Sequence, residues 1–489
     1  LPRGEHINPS SYADDHRAQN GQKPIQLGEI DGLFHGLHRG YPGEQAQKSV
    51  TIFVTPVSRT FEEIVGEIEK LAKLGWRLGL DRMKAFVDYA GLTESLGVGN
   101  PPSYIQIAGT NGKGTATAAL QSILVAQGHR TGGYFSPYVY DFRERIQING
   151  ELIRKERFCD LAERLLERAS SFGESKYGPV TEFEFKTALG IAAFAAERCD
   201  WVALEVGIGG RLDATTVVTP RAGIITSIGL DHVHILGNTH AEIAREKAGI
   251  LKLGMPLALG RMDPSAEHVI RECARENGSE VWQLGQEIEL SETSGVYTLR
   301  LPSGREIGPW KSPLVGRLQA DNIALAVAAA ELAGAIADPS KVVSGVETTR
   351  IAGRFEQRDW EGVPVILDGA HNGEAAEALA ESLADAGFAE VMLVTTMLQG
   401  HEVERFYSPL RSHIEKAFCV ELNMPRARKV GDLANALSNL SIDVEPYPSV
   451  EDAMHDARKA WKPGQAILVT GSFYLVGEVG NWLSGTSRQ

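Results

Sequence analysis

Cysteine is scarce. The four in the chain, Cys159, Cys199, Cys273 and Cys419, stand at least 40 residues apart. No Cys-x-x-Cys pair exists, and scattered reduced thiols in a reducing compartment are expected. Long apolar runs are missing too. The most apolar stretch, Ile323 to Ala330, is stopped by Glu331 and falls short of the roughly 18–20 residues that span a bilayer. Basic residues are in the minority, Lys+Arg 49 against Asp+Glu 63, for a net charge of −14. That balance argues against nucleic acid or an anionic membrane as the main partner, while a local basic patch can still hold phosphates. Residues 1–47 are polar and rich in Gly, His and Pro, without the apolar core of a secretory signal, so a cytoplasmic location is expected. With 43% hydrophobic and 23% charged residues over 489 positions, the chain can bury more than one core without a disulfide or metal staple.

Residues 1–55 carry little apolar periodicity and read as an irregular extension. Helical patterning begins at Thr60, a candidate N-cap, with Glu63 placed to complete a capping box. Phe61, Ile64, Ile68, Leu71 and Leu74 then recur at helical spacing, and a second helix is expected over 80–89. The run Tyr104–Ala108 has strand character. A glycine-rich loop over 109–115 and an Ala/Leu-rich helix over about 116–127 follow. Strand, glycine loop and helix in that order form the first unit of a doubly wound sheet. Further strands are expected at 201–206 and 223–227, and helices at 156–170, 184–198 and 241–251. Segments 287–290 and 296–301, with a turn at Ser303-Gly304, predict a hairpin, and a helix over 317–336 comes next. A fresh series then begins, with strands at 363–367, 390–395, 417–422 and 466–469 and helices at 373–386 and 402–413. The fold class is therefore α/β. A P-loop nucleotide-binding domain with a doubly wound, mostly parallel sheet is expected over 56–348, and a smaller Rossmann-like α/β domain over 349–489. No Pro/Ser-rich linker separates them, so they should meet across a cleft.

The loop Gly109-Thr110-Asn111-Gly112-Lys113-Gly114-Thr115 carries the parts that phosphate binding needs: glycines that let the backbone approach an anion, a helix N-terminus, a lysine for the outer phosphates and a hydroxyl near Mg²⁺. Its spacing is a variant of the usual P-loop, with the first glycine four residues before Lys113. Glu205 lies inside an otherwise apolar strand, where a charge is costly unless it is paired or holds a metal. At the C-terminal end of a parallel strand it would face the ligand crevice. His232, after Leu230-Asp231, and Lys247, in Arg245–Ile250, read from spacing alone as ordinary structural residues.

Taken together, the segments Leu78–Arg82, Ala108–Thr115, Phe135–Pro137, Glu144–Ile146, Glu182–Glu184, Leu204–Ala214, Leu230–His232, Glu246–Ile250, Asp368–Asn372 and Thr470–Tyr474 resemble, in order, the dihydrofolate synthase/folylpolyglutamate synthase family of Mur-ligase-type ATP-dependent amide synthetases. The resemblance implies that Gly109, Thr110, Asn111, Gly112, Lys113, Gly114 and Thr115 cradle ATP, with Asn322, Arg354 and Asp368 as further nucleotide contacts. It implies that Ser136, Glu205 and His232 hold Mg²⁺, two ions in all, with Lys247 carbamylated as a further ligand. Lys113, Lys247 and His371 would be catalytic. Gly79, Leu80, Arg82, Thr181, Phe183, Leu212, Asp213 and Ala214 would line the pterin side. The implied reaction joins L-glutamate to dihydropteroate or tetrahydrofolate through an acyl phosphate, in a monomer.

The chain departs from the family pattern in four places: Thr115 replaces Ser, Tyr138 replaces His, Thr216 replaces Asn, and Met397–Glu402 stands where the second domain carries Asp-Lys-Asp. The first three leave the ATP half intact. The last bears on the amino-acid side, so a Mur-type ligase for another carboxylate acceptor stays open. A nucleotide-binding regulator without ligase activity would have no use for Lys113, Glu205, His232 and Lys247 together.

Overall fold

The computed structural model describes residues 59–75 and 79–486. The expected extension over 1–55 and Leu78 lie outside the described residues. Among those described, no helix is long and apolar enough to cross a membrane, and all four cysteines are free thiols.

The first sheet has eight strands: β1 (Ser103–Ala108), β2 (Thr131–Tyr134), β3 (Ile146–Ile148), β4 (Glu151–Leu152), β5 (Trp201–Glu205), β6 (Ala222–Ile225), β7 (Leu257–Leu259) and β8 (Val281–Gln283). They run in the order β4-β3-β2-β5-β1-β6-β7-β8. The pairs among β2, β5, β1, β6, β7 and β8 are parallel, and β3 and β4 add an antiparallel edge. Helices Lys113–Ala126 and Arg317–Leu332 cover one face through Ala116, Leu120, Ile123, Ile323 and Val327. Helices Phe61–Lys70, Lys155–Phe172 and Glu182–Ala196 cover the other through Ile64, Ile68, Phe158, Phe185 and Phe194. Strands buried on both faces read as continuous apolar runs, which is why β1 and β5 were legible and their register was not.

A three-stranded antiparallel sheet follows: β9 (Glu289–Thr293), β10 (Val296–Arg300) and β11 (Glu306–Lys311). The expected hairpin is present and gains the third strand. The second large sheet contains β12 (Glu356–Trp360), β13 (Val363–Leu367), β14 (Val391–Thr395), β15 (Ile414–Val420), β16 (Val444–Tyr447) and β17 (Ala466–Thr470). Their order is β12-β13-β17-β14-β15-β16, all parallel except β12.

The helix expected over 402–413 is not continuous. It is a short helix, Val403–Tyr407, and a separate 3₁₀ turn, Arg411–His413. Pro409 falls between them, and its ring and missing N–H cannot continue a helix. The helix expected over 317–336 ends at Leu332, where Gly334 takes a left-handed φ of 71°. The capping box at Thr60 is present: Glu63 N–H donates to Thr60 Oγ1 at 3.2 Å and Thr60 N–H to Glu63 Oε2 at 2.7 Å.

Candidate functional site

Both large sheets turn the C-terminal ends of their parallel strands toward one cavity of about 430 Å³. β1 pairs with β5 so that Ile107 stands opposite Glu205. The loop after β1 and the carboxylate ending β5 are therefore neighbours by register. From the second sheet, the turns after β13 and β17 supply Ala370, His371, Ser472, Phe473 and Tyr474, and the loop after β14 supplies Leu398 and His401.

The loop over 109–115 is shaped by two left-handed glycines, Gly109 at φ 150° and Gly112 at φ 85°. A Cβ on Gly109 would strike the Thr226 hydroxyl, and one on Gly112 the Asn322 carboxamide, so the tight loop needs glycine at both positions. Lys113 begins the helix and turns its ammonium back over the loop, donating to the carbonyls of Gly109 at 3.0 Å and Thr110 at 3.1 Å. Thr115 is fully buried, and its hydroxyl donates to Gln319 at 2.7 Å. It faces helix Arg317–Leu332 rather than the main cavity, which differs from the expected place beside a metal.

Glu205 is 3% exposed and accepts a hydrogen bond from the Ser136 N–H at 3.0 Å. Burial pushes its carboxyl up to about 7 against the opposing pull of Lys113. Lys247 is 4% exposed and donates to the Gly109 carbonyl at 2.8 Å. Burial, then the neighbouring Lys113, brings its ammonium down to about 7. His232 has a left-handed φ of 49°, a conformation that costs a non-glycine residue roughly 1–2 kcal/mol and that clusters at functional sites. Burial opposes ionisation of Asp231, but His232, His371, the hydrogen bond from the His232 N–H and His401 together outweigh it and hold the carboxyl below its ordinary value. Burial likewise lowers His371, whose Nδ1 lies 2.8 Å from the Gly369 carbonyl. A carbonyl only accepts, so Nδ1 carries the proton and Nε2 is left as an acceptor.

Ser136, Glu205, His232 and Lys247 all line this cavity. Among the described residues no group of three or more His, Cys, Asp or Glu side chains is arranged to hold a metal by itself. The donors present still fit a hard cation that brings phosphate oxygens with it: a buried carboxylate, a serine hydroxyl, and a lysine that becomes an oxygen ligand once carbamylated.

Gly79, Thr181, Phe183, Leu212, Asp213 and Ala214 line the same cavity. Leu80 and Arg82 are not among its walls. Arg82 stands behind, bonded to Glu184 at 2.8 Å, and Thr181 bonds the same carboxylate and caps helix Glu182–Ala196. Asn322, Asp368 and Thr115 line an adjoining cavity of about 160 Å³. Arg354 reaches both cavities and stacks over Phe473, 4.6 Å from its centroid. Sequence reasoning gave no role to Arg145, Asp231, His401 or Arg426, which also line the main cavity. Arg145, Asp231 and His401 lie inside the segments Glu144–Ile146, Leu230–His232 and Met397–Glu402. Arg426 reaches the site only because residues 424–428 pair with 397–399: Gln399 N–H donates to Arg426 O at 2.9 Å and Arg428 N–H to Met397 O at 3.1 Å.

Comparison with known proteins agrees with this layout. The Mur ligase middle domain matches residues 107–330, and the Mur ligase glutamate ligase domain matches 353–473. Dihydrofolate synthase/folylpolyglutamate synthase of Bacillus subtilis is 32% identical over 427 residues, 83% of this chain and 95% of that protein. The Escherichia coli FolC structure in complex with DHPP and ADP superposes with a TM-score of 0.80 at 29% identity, covering 88% of this chain and all of that one. A bifunctional folylpolyglutamate synthase/dihydrofolate synthase with Mn, AMPPNP and L-glutamate bound has a TM-score of 0.77 at 29% identity, over 88% of this chain and 99% of its own.

Proposed function

The chain belongs to the dihydrofolate synthase/folylpolyglutamate synthase family of Mur-type ATP-dependent ligases, and on that premise we propose that it joins L-glutamate to the carboxylate of dihydropteroate, of reduced folates such as tetrahydrofolate, or of both. The observation that carries the reading is the meeting, in one cavity, of Lys113, Glu205 and Lys247 from the first domain with His371 from the second. Residues 56–348 serve as the ATP-binding domain and 349–489 as the glutamate-ligase domain.

In the first step an acceptor carboxylate oxygen bonds to the γ-phosphorus of ATP, the β–γ bridging bond breaks, and ADP leaves. In the second, the glutamate amine bonds to the acyl carbon, and the carbon–oxygen bond to phosphate breaks through a tetrahedral state. Gly109–Thr115 cradle the phosphates, Asn322 and Asp368 hold the nucleoside in the adjoining cavity, and Arg354 spans the two. Lys113 leaves its loop carbonyls for the transferring phosphoryl group, so that its charge is placed before reaction begins. His371, neutral with Nε2 open, takes the proton of the incoming ammonium. Ser136, Glu205 and His232, with carbamylated Lys247, would hold two Mg²⁺ ions, which neutralise phosphate charge when bound. A lysine brought down to about 7 is partly neutral near that pH, as addition of CO₂ requires. Thr181, Phe183, Leu212, Asp213 and Ala214, with Gly79, line the acceptor side, and Arg82 supports it from behind through Glu184. The protein works as a cytoplasmic monomer.

Phosphate release in ATP, Mg²⁺ and glutamate tests the reading. Turnover that depends on dihydropteroate or tetrahydrofolate supports it; turnover with neither, but with another carboxylate, refutes it. That second outcome is a Mur-type ligase for a different acceptor. One observation favours it: the Met397–Glu402 loop lacks the family's Asp-Lys-Asp and puts His401 in the cavity wall.

A further inference from the structure

The two domains are joined beside the cavity by a pair of side-chain amides whose contact with each other the reaction above does not use. Asn111, in the phosphate loop, is fixed through its backbone. Its N–H donates to Ser227 Oγ at 3.0 Å, and its carbonyl accepts from Thr226 Oγ1 at 2.6 Å and Ser227 Oγ at 3.1 Å. Its carboxamide meets that of Asn372 from the second domain. Asn372 Nδ2 donates to Asn111 Oδ1 at 3.0 Å, and Asn111 Nδ2 donates back to Asn372 Oδ1 at 3.3 Å. Asn372 Nδ2 also lies 3.4 Å from Asp231 Oδ2, while Asn372 Oδ1 accepts from Ala375 N–H at 2.9 Å and caps helix Gly373–Asp385.

A second contact runs beside the first. Glu374 accepts from Leu230 N–H at 3.3 Å and from Asn111 Nδ2 at 3.5 Å. Its carboxylate occupies the space that a Cβ on Gly229 would need. Each carboxamide offers one donating and one accepting edge, so a reciprocal pair requires an amide on both sides. Asn372 directly follows His371, whose ring is tied to Gly369. Fixing Asn372 against the phosphate loop therefore also fixes His371.

We propose that Asn111 and Asn372 are a positioning pair that sets the register of the second domain on the phosphate loop and so brings His371 to the phosphate end of the cavity. The contact is small, polar and only partly buried. It suits a closure that forms and opens in each cycle rather than a permanent seam.

Asn372→Asp is the discriminating variant. Aspartate caps a helix about as well as asparagine, so the helix is kept. The donor toward Asn111 is lost, however, and a carboxylate is set beside Asp231 and Glu374. The proposal expects kcat to fall by about tenfold or more while ADP affinity, by calorimetry, stays within about twofold. It also expects an unchanged melting temperature and a larger radius of gyration by small-angle X-ray scattering with ADP present. In the cycle of Asn111→Ala and Asn372→Ala, the double variant should lose no more kcat than the worse single one. Wild-type kcat in Asn372→Asp, a fall in kcat with no change in radius, or losses that multiply in the cycle would each overturn it. The scattering arm reads domain register without turnover. A chain inactive toward every pterin would thus refute the proposed function and still leave this pair to be judged.

Discussion

Two buried side chains of opposite sign, Glu205 and Lys247, are both displaced by burial to about 7, one upward and one downward. For Lys247 this is the condition under which an amine can take up CO₂. Lys247→Ala should cut turnover by about a hundredfold or more, with bicarbonate unable to rescue it. Native mass spectrometry in bicarbonate should show a CO₂ adduct on the wild type that the variant lacks; wild-type turnover in the variant would remove the carbamate. Glu205→Gln should be at least as damaging, since it deletes the charge proposed to hold a metal. A third ionisable side chain, Lys186, lies outside the cavity wall, bonded to Glu182 with its ammonium 5.0 Å from the centre of the Phe142 ring. Burial, then Arg145, brings it from 10.5 down to about 8. Between those two values the unfolded chain binds more protons than the folded one, so this residue's contribution to stability rises with pH. Below about 8 the cost of charging it is fully present. Urea unfolding of wild type and Lys186→Met at several pH values should show the wild type gaining on the variant as pH rises from 8 to 10.5; a flat difference would contradict the assignment.

At the scale of elements, the site is made by strand ends. β1, β5 and β6 present the phosphate loop, Glu205 and the Thr226–Ser227 hydroxyls along one edge, and β13, β14 and β17 present His371, the 397–402 loop and Ser472–Tyr474 along the other. A capping box starts helix Phe61–Lys70, and Thr60→Ala should cost about 1 kcal/mol in chemical denaturation without touching nucleotide affinity. Gly229→Ala should force Glu374 off Leu230 and lower kcat; a normal kcat would mean that Glu374 does not rest there. The strands that form both edges were legible because buried parallel strands are short apolar runs bounded by glycine and polar turns. The phosphate loop was legible because its glycines, lysine and hydroxyl are contiguous. Other features depend on contacts remote in sequence. Thr115 looked like a metal-side hydroxyl, but Gln319, on a distant helix, takes it. Thr181 looked like a ligand contact, and its hydrogen bonds cap a helix and hold Glu184. Arg426 enters the cavity by pairing with a loop 27 residues earlier, Gln399 to Arg426, which no local pattern announces. The break at Pro409 was in plain view, and helical periodicity on either side hid it.

At the scale of the whole molecule, the two sheets divide the labour. The first carries the buried acid, the lysines and the phosphate loop; among the described residues the second contributes no carboxylate to the main cavity wall but brings Arg354, two histidines and Arg426. On the proposed reading, an anionic acceptor and an amino acid would meet ATP between them only when the domains are in register, and activation of the carboxylate and its capture by the amine would belong to one closed state. The claim on which this account rests is that the acceptor carboxylate itself attacks the γ-phosphate. Supplying dihydropteroate labelled with oxygen-18 in its carboxylate, with ATP, Mg²⁺ and L-glutamate, and analysing the released phosphate by mass spectrometry tests that directly. Transfer of one labelled oxygen to phosphate per amide bond formed is the predicted result; phosphate free of label while product accumulates would contradict it.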